Sequence, residues 1–352
     1  MSADDPEENS YECDGDSSFM VSERLPSTNN MIRGQKDSYA VGRKIAPGKF
    51  GAVYEVLRRV DGKRFAAKLE ICDVSSNALN MDYIVLKAAS KQRSTTVSHF
   101  CQLVDRGKIE GHFKFLVMKL LGDNLYKLRH QFQEYRFSAP TALRLATEML
   151  GALEELHSLG FVHRDVKPSN FAIYQEDGQT KIFLIDFGLC RQFRSSTSGE
   201  IKPPREQTQF RGTTRYASLS AHREEEQSPK DDLESWFYVI VEFMTGELPW
   251  GPYRQNEKEK VKKLKENSRT TEGTLQLLKY CPRTEFGRMM KYLDGLTYYS
   301  QPDYAYLRQL IQLAMKNNDI KPDETYDWQV DQEEDEQDQD VQPQQPQTNG
   351  LI

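Results

Sequence analysis

Between about Ser38 and Trp328 the hydrophobic positions recur as in a folded domain, and their period changes along the way. "YAVGRKI" and "AVYEVLRR" alternate apolar and polar residues around a glycine-containing turn, and Val60-Asp61-Gly62-Lys63 leads into "RFAAKLEI" as a hairpin would. A helical stretch, "NALNMDYIVLKAASK", follows. "QLVDRGKI" and "FKFLVMKLL" then form another hairpin through Glu110-Gly111. From there the period is mostly that of helices. "SAPTALRLATEMLGALEELHSLG" puts Leu143, Ala146, Met149, Leu150, Leu153 and Leu156 on one face, with Ser138 as N-cap and Gly160 as stop. "DDLESWFYVIVEFMTG" is apolar on most sides, which predicts a buried helix. The fold class expected is α+β, with two lobes. A small antiparallel β-rich lobe with one helix covers about residues 38–118, and a larger, mainly helical lobe covers about 122–329.

The ends read differently. Residues 1–20 hold seven acids (Asp4, Asp5, Glu7, Glu8, Glu12, Asp14, Asp16) and no Lys or Arg, and residues 331–352 hold seven more under the same rule. Segments 1–37 and 330–352 are expected to be disordered, because their apolar content is too low to offset the entropy of ordering. The whole chain is −6, and without those fourteen acids the body between them is +8. A basic body favours anionic partners. Five scattered cysteines suggest neither a zinc site nor a disulfide framework. No signal peptide or membrane-length apolar run is present, so a soluble monomer of the cytoplasm, with access to the nucleus, is expected. A nucleic-acid partner is not expected, since no basic stretch is interleaved with aromatics.

Candidate chemistry lies where these elements join. "IAPGKFGAVY" places Gly48 and Gly51 at the first strand–turn–strand, where backbone N–H groups approach phosphates closely; alone, such a pair of glycines is far more often an ordinary hairpin. Lys68 follows "FAA" on the third strand. Residues 163–170 read His-Arg-Asp-x-Lys-x-x-Asn, and Asp186-Phe187-Gly188 closes "KIFLIDFG". Each piece alone is a loop charge or a turn glycine, but all four in this order are hard to assign to chance.

The set resembles the eukaryotic protein kinase signature, over about Ser38 to Trp328. The resemblance implies ATP and Mg²⁺ as cofactors. Asp165 would be the catalytic base, Lys167 would reach the transferred phosphate, and Asn170 and Asp186 would hold the metal. Lys68 would bind the α/β-phosphates, Ile45, Val53 and Ala66 would enclose the adenine, and Met118 to Leu121 would form the hinge. "GTTRYASLSAH", where most protein kinases carry Ala-Pro-Glu, together with "DDLESWFY", "ELPW" and "QPDYAYLRQL", is similar to the casein kinase 1 superfamily. "IKPPREQTQFRGTTRYAS", "HRDVKPSNFAI" and "DETYDW" are most similar to its tau-tubulin kinase branch. That similarity implies Ser/Thr transfer to acidic, phosphorylated or cytoskeletal proteins. Arg164, Lys202, Arg205, Arg211 and Arg215 near the activation segment are candidates for an anion site.

The pattern is broken in places. Ala46 opens the glycine loop. The helix that would supply a Glu partner for Lys68 offers Asp82, one methylene shorter, which puts the bridge at stake unless a small shift of the helix restores it. Cys190, close behind the Asp-Phe-Gly triplet, is expected to be a small buried residue rather than a redox thiol. The alternative to an active kinase is a scaffold of the same fold without turnover.

Overall fold

The computed structural model describes residues 24–72, 76–91, 98–176 and 178–329. The small lobe is one six-stranded antiparallel sheet in the order β1-β2-β3-β4-β6-β5. Its strands are β1 (Met31–Arg33), β2 (Ser38–Gly48), β3 (Gly51–Arg58), β4 (Arg64–Ile71), β5 (Leu103–Ile109) and β6 (Phe113–Lys119). Strand β1 corrects the expected boundary. It lies inside the segment predicted to be disordered, pairs Ile32 with Tyr39, and buries Ile32 to 2% exposure. Residues 1–23 and 330–352 lie outside the described residues.

The glycine hairpin is tight, with Gly48 directly opposite Gly51. Gly51 is fixed by packing: a Cβ there would stand 1.8 Å from the Leu69 carbonyl oxygen. Register shifts between Val41 and Ala46 bend β2 beside Ile45. Helix α1 (Ala78–Lys91) packs on β4, β5 and β6 and buries Leu79, Asp82, Val85 and Leu86.

Below the hinge come α2 (Leu125–Arg129) and α3 (Ala139–Ser158), the latter capped by the Ser138 side chain on the Thr141 N–H. Gly160 follows α3 at φ 84°, the left-handed turn that favours glycine. The apolar helix forms α5 (Pro229–Thr245), after the short α4 (Leu219–His222). Nearly all of its side chains are buried, and Trp236 Nε1 donates to the Ala146 carbonyl on α3 at 3.1 Å. A 17-residue helix buried this completely needs the large-lobe core on every side, which explains why its sequence lacks an amphipathic stripe. Among the described residues, no helix is long and apolar enough to cross a membrane.

Between β7 (Phe161–Val162) and the hairpin β8 (Phe171–Glu176) with β9 (Gln179–Leu184) runs the loop carrying His163 to Asn170. His99, before β5, ties that side of the small lobe to α3. Its Nδ1 lies 3.0 Å from Glu155 Oε2 and its backbone N–H donates to the same oxygen at 2.9 Å. Burial opposes the imidazolium, yet Glu148 and Glu155 outweigh it and raise the His99 pKa to about 9. Stability from this contact is therefore fully present below the unfolded value of about 6.5 and is lost as pH rises toward 9. Denaturant titrations at several pH values are expected to show that decline in the wild type and a flatter profile in His99→Gln.

Candidate active site

Lys68 lies on β4 opposite Val53, and Ala66 two residues earlier lies opposite Met118 on β6. Strand alternation places all four on one face of the sheet. Ile45 and Leu121 are half-buried, and the chain leaves the hinge with the Gly122 N–H donating to the Ile173 carbonyl at 2.8 Å. These positions are compatible with an enclosed adenine.

The predicted charge pair is formed. Lys68 Nζ is 2.7 Å from Asp82 Oδ2 and 2.8 Å from Asp186 Oδ1. Asp82 is 2% exposed, and its Oδ1 accepts the Phe187 N–H at 2.7 Å. Of the two outcomes open for the shorter side chain, the bridge is made: α1 lies close enough that the carboxylate reaches both groups. Burial disfavours the Lys68 ammonium, but Asp186 and Asp82 outweigh it and hold its pKa above the usual lysine range. Lys68 in turn holds Asp186 below the usual carboxylate range. Asp82→Glu is expected to lower kcat severalfold by overfilling this contact, and Asp82→Ala by about tenfold or more, equivalent to ~1.4 kcal/mol. Steady-state rates at saturating nucleotide check this, and equal rates for wild type and Asp82→Ala would contradict it.

Asp165 is held from three sides. Thr213 Oγ1 donates to its Oδ1 at 2.7 Å, Lys167 Nζ lies 3.0 Å from its Oδ2, and Asn170 Nδ2 donates to its backbone carbonyl at 2.8 Å. Lys167 also donates to Thr213 Oγ1 at 3.2 Å. Thr213 stands in the quoted "GTTRYAS", but nothing in its spacing from Asp165 indicated a role. Asp232 was missed as well. It is 1% exposed, and it accepts the His163 N–H at 2.6 Å, the Arg164 N–H at 2.8 Å and a contact from His157 Nε2 at 2.8 Å. Arg164 and Asp186 take positive φ of 67° and 61°, so the loop is held in a conformation that costs free energy for non-glycine residues. Phe187 packs edge-on against Phe100 and His163.

The anion-site candidates separate. Arg215 is corrected: it donates to buried Glu242 at 3.1 Å and to the Gly251 carbonyl at 3.1 Å, so these donors point into the helical lobe. Buried Glu226 pairs with Arg205 at 2.5 Å and Arg191 at 3.3 Å. Arg164 donates through Nε to the Leu189 carbonyl at 2.8 Å, and Lys202 to Gln192 at 3.0 Å. Burial lowers the Arg164 pKa to about 10, and Arg191, Arg205 and Arg211 add to that against the pull of Glu226. Arg164, Arg191 and Arg205 thus share the field of Glu226, while exposed Arg211 adds positive charge beside Arg164. Cys190 is 3% exposed, and burial pushes its thiol well above the usual range, as expected for a packing residue.

The donor set suits Mg²⁺. Asn170 and Asp186 offer hard oxygen donors, and Mg²⁺ is commonly held by one or two such side chains together with substrate phosphates. No cluster of three or more His, Cys, Asp or Glu that would cage a metal occurs among the described residues.

A two-lobed domain with a Lys–Asp pair over an Asp/Asn-bearing loop defines the class. The chain belongs to the protein kinase domain family, whose model matches residues 39–296. It is also similar to a probable serine/threonine-protein kinase of Dictyostelium discoideum, with 35% identity over 296 residues. That match covers 84% of this chain and 57% of the relative, so the chain spans little more than half the length of that protein.

Proposed function

We propose that this chain transfers the γ-phosphate of ATP to serine or threonine of protein substrates. The observation that carries the reading is the state of Asp165, a carboxylate fixed by Thr213 and Lys167. Asp165 orients the substrate hydroxyl and accepts its proton. Lys167 stands beside it to neutralise charge on the transferred group, and Lys68 steadies the α/β-phosphates while locked to α1 through Asp82. Mg²⁺ held by Asn170 and Asp186 would supply charge neutralisation at the phosphates. The intact set favours turnover over a scaffold role, because the Asp82 bridge that sequence left in doubt is made.

Acidic or phosphorylated substrates, as in casein kinase 1 and tau-tubulin kinase relatives, are part of the same proposal. What supports them is the surplus of Arg164, Arg191, Arg205 and Arg211 over Glu226, together with the +8 body. A monomer acting in the cytoplasm, cytoskeletal proteins among its targets, completes the proposal. Transfer to paired peptides differing only in acidic against neutral flanks tests the preference. The acidic peptide is expected to show the lower KM, and Arg211→Ala to raise that KM severalfold with kcat nearly unchanged. Equal KM values for the two peptides would overturn the preference and leave the transfer reading intact.

A further inference from the structure

A second concave surface lies on the small lobe, along the start of α1, and none of the loop residues from His163 to Asn170 lines it. It is a groove of about 600 Å³ lined by Arg33, Arg106, Lys108 and Lys114, by the first turns of α1 (Asn77, Leu79, Asn80, Tyr83), and by Phe115 and Leu116. Among the described residues, four bases line it and no acid does. Lys114 is answered by buried Glu70 at 2.7 Å and Lys108 by Glu110 at 2.8 Å. Arg33 and Arg106 have no carboxylate partner among the described residues; Arg106 instead bonds Gln35 Oε1 at 3.1 Å and lies over the Tyr83 ring at 4.3 Å. The wall is rigid, because buried Asp105 accepts the backbone N–H groups of Gln35, Lys36 and Asp37. Leu79, Phe115 and Leu116 make an apolar floor under this basic rim.

We propose that the acidic N-terminal segment of this chain, residues 1–20, docks in this groove with its carboxylates on Arg33 and Arg106. The segment carries seven acids and no base, and aromatic Tyr11 and Phe19 suit the floor. It enters the described fold close by. Arg24 bonds the Cys72 carbonyl at 3.3 Å, and Cys72 is two residues past Glu70, the partner of groove residue Lys114. Asp16 is eight residues from Arg24, a reach of up to about 26 Å in extended chain. Tethering makes the local concentration of these acids high. The acidic C-terminal segment is placed less well: the last described residues are fastened to the large lobe, where Asp327 accepts from Ser138 and Thr141. Docking sets the groove-lining turns of α1 and, through Asp82 on the same helix, the reach to Lys68.

Zero-length carboxyl-to-amine crosslinking of the full-length chain, read by peptide mass spectrometry, tests this without reference to catalysis. Amide links are expected between acids of residues 4–16 and Lys108, which lines the groove, or Lys87, which lies beside Tyr83. Their yield is expected to be independent of protein dilution. The Arg33→Glu/Arg106→Glu variant is expected to lower that yield about fivefold, ~1 kcal/mol at 1.36 kcal/mol per decade. Should that variant fold poorly, wild type in rising salt gives the same decision, since screening must weaken the links. The proposal is overturned if these links are absent, fall on lysines of the helical lobe, form only between two molecules, or persist unchanged in high salt.

Discussion

Replacing Asp165 with Asn is expected to remove turnover while leaving nucleotide binding and the fold in place. Asparagine has the same shape, and the shorter Asn170 contact, at 2.8 Å, is made to the backbone carbonyl of residue 165, so the exchange touches only the longer one to Oδ2 at 3.4 Å. What changes is charge. The amide cannot accept the hydroxyl proton, and its NH₂ group replaces one of the two oxygens that receive Thr213 and Lys167, so one of these donors loses its acceptor. Positioned proton transfer contributes about 10²–10⁴-fold, so kcat should fall by that order. ATP should still raise the melting temperature, because ligand that binds the folded state stabilises it by mass action. Loss of ATP-dependent stabilisation along with activity would show that the substitution acts on the fold instead.

The second large effect is expected at Asp232. Its carboxylate receives the backbone N–H groups of His163 and Arg164 and contacts His157, all in a fully buried setting. Alanine there leaves those donors unpaired, and breaking a buried charged contact costs about 3–5 kcal/mol. In Asp232→Ala, chemical denaturation should show that loss, and kcat should fall with it, because the donors belong to the residues just before Asp165. Asp232→Asn keeps one acceptor oxygen and should lie between the two. A stable Asp232→Ala protein with wild-type kcat would mean that the loop holds its shape without this anchor.

The contrast between Asp165 and Asp232 shows what the sequence made legible. The hairpins were readable because alternation with period two and turn residues such as Asp61-Gly62 are local signals. Lys68, Asp165, Asn170 and Asp186 were readable because their order and spacing are distinctive, and the structure brings them together. Asp232 was quoted as part of a buried helix, yet its partners His163 and Arg164 lie far away in the chain, and no spacing rule joins them. Thr213 escaped for the same reason. Arg215 and Arg211 look alike in sequence; only the buried position of Glu242 assigns Arg215 to the interior. Asp82 stayed open in the sequence because side-chain length is legible there and the placement of α1 is not. Strand β1 was missed because three residues in a polar context give too short a pattern to register.

The most direct measurement is transfer of label from γ-labelled ATP, in Mg²⁺, to an acidic protein such as casein by the purified full-length chain, followed by phosphoamino-acid analysis. Active-site geometry predicts phosphoserine or phosphothreonine in the wild-type reaction and none with Asp165→Asn. Folded protein that binds ATP yet transfers no label to acidic, neutral or basic substrates would contradict the kinase reading and favour a scaffold of the same fold.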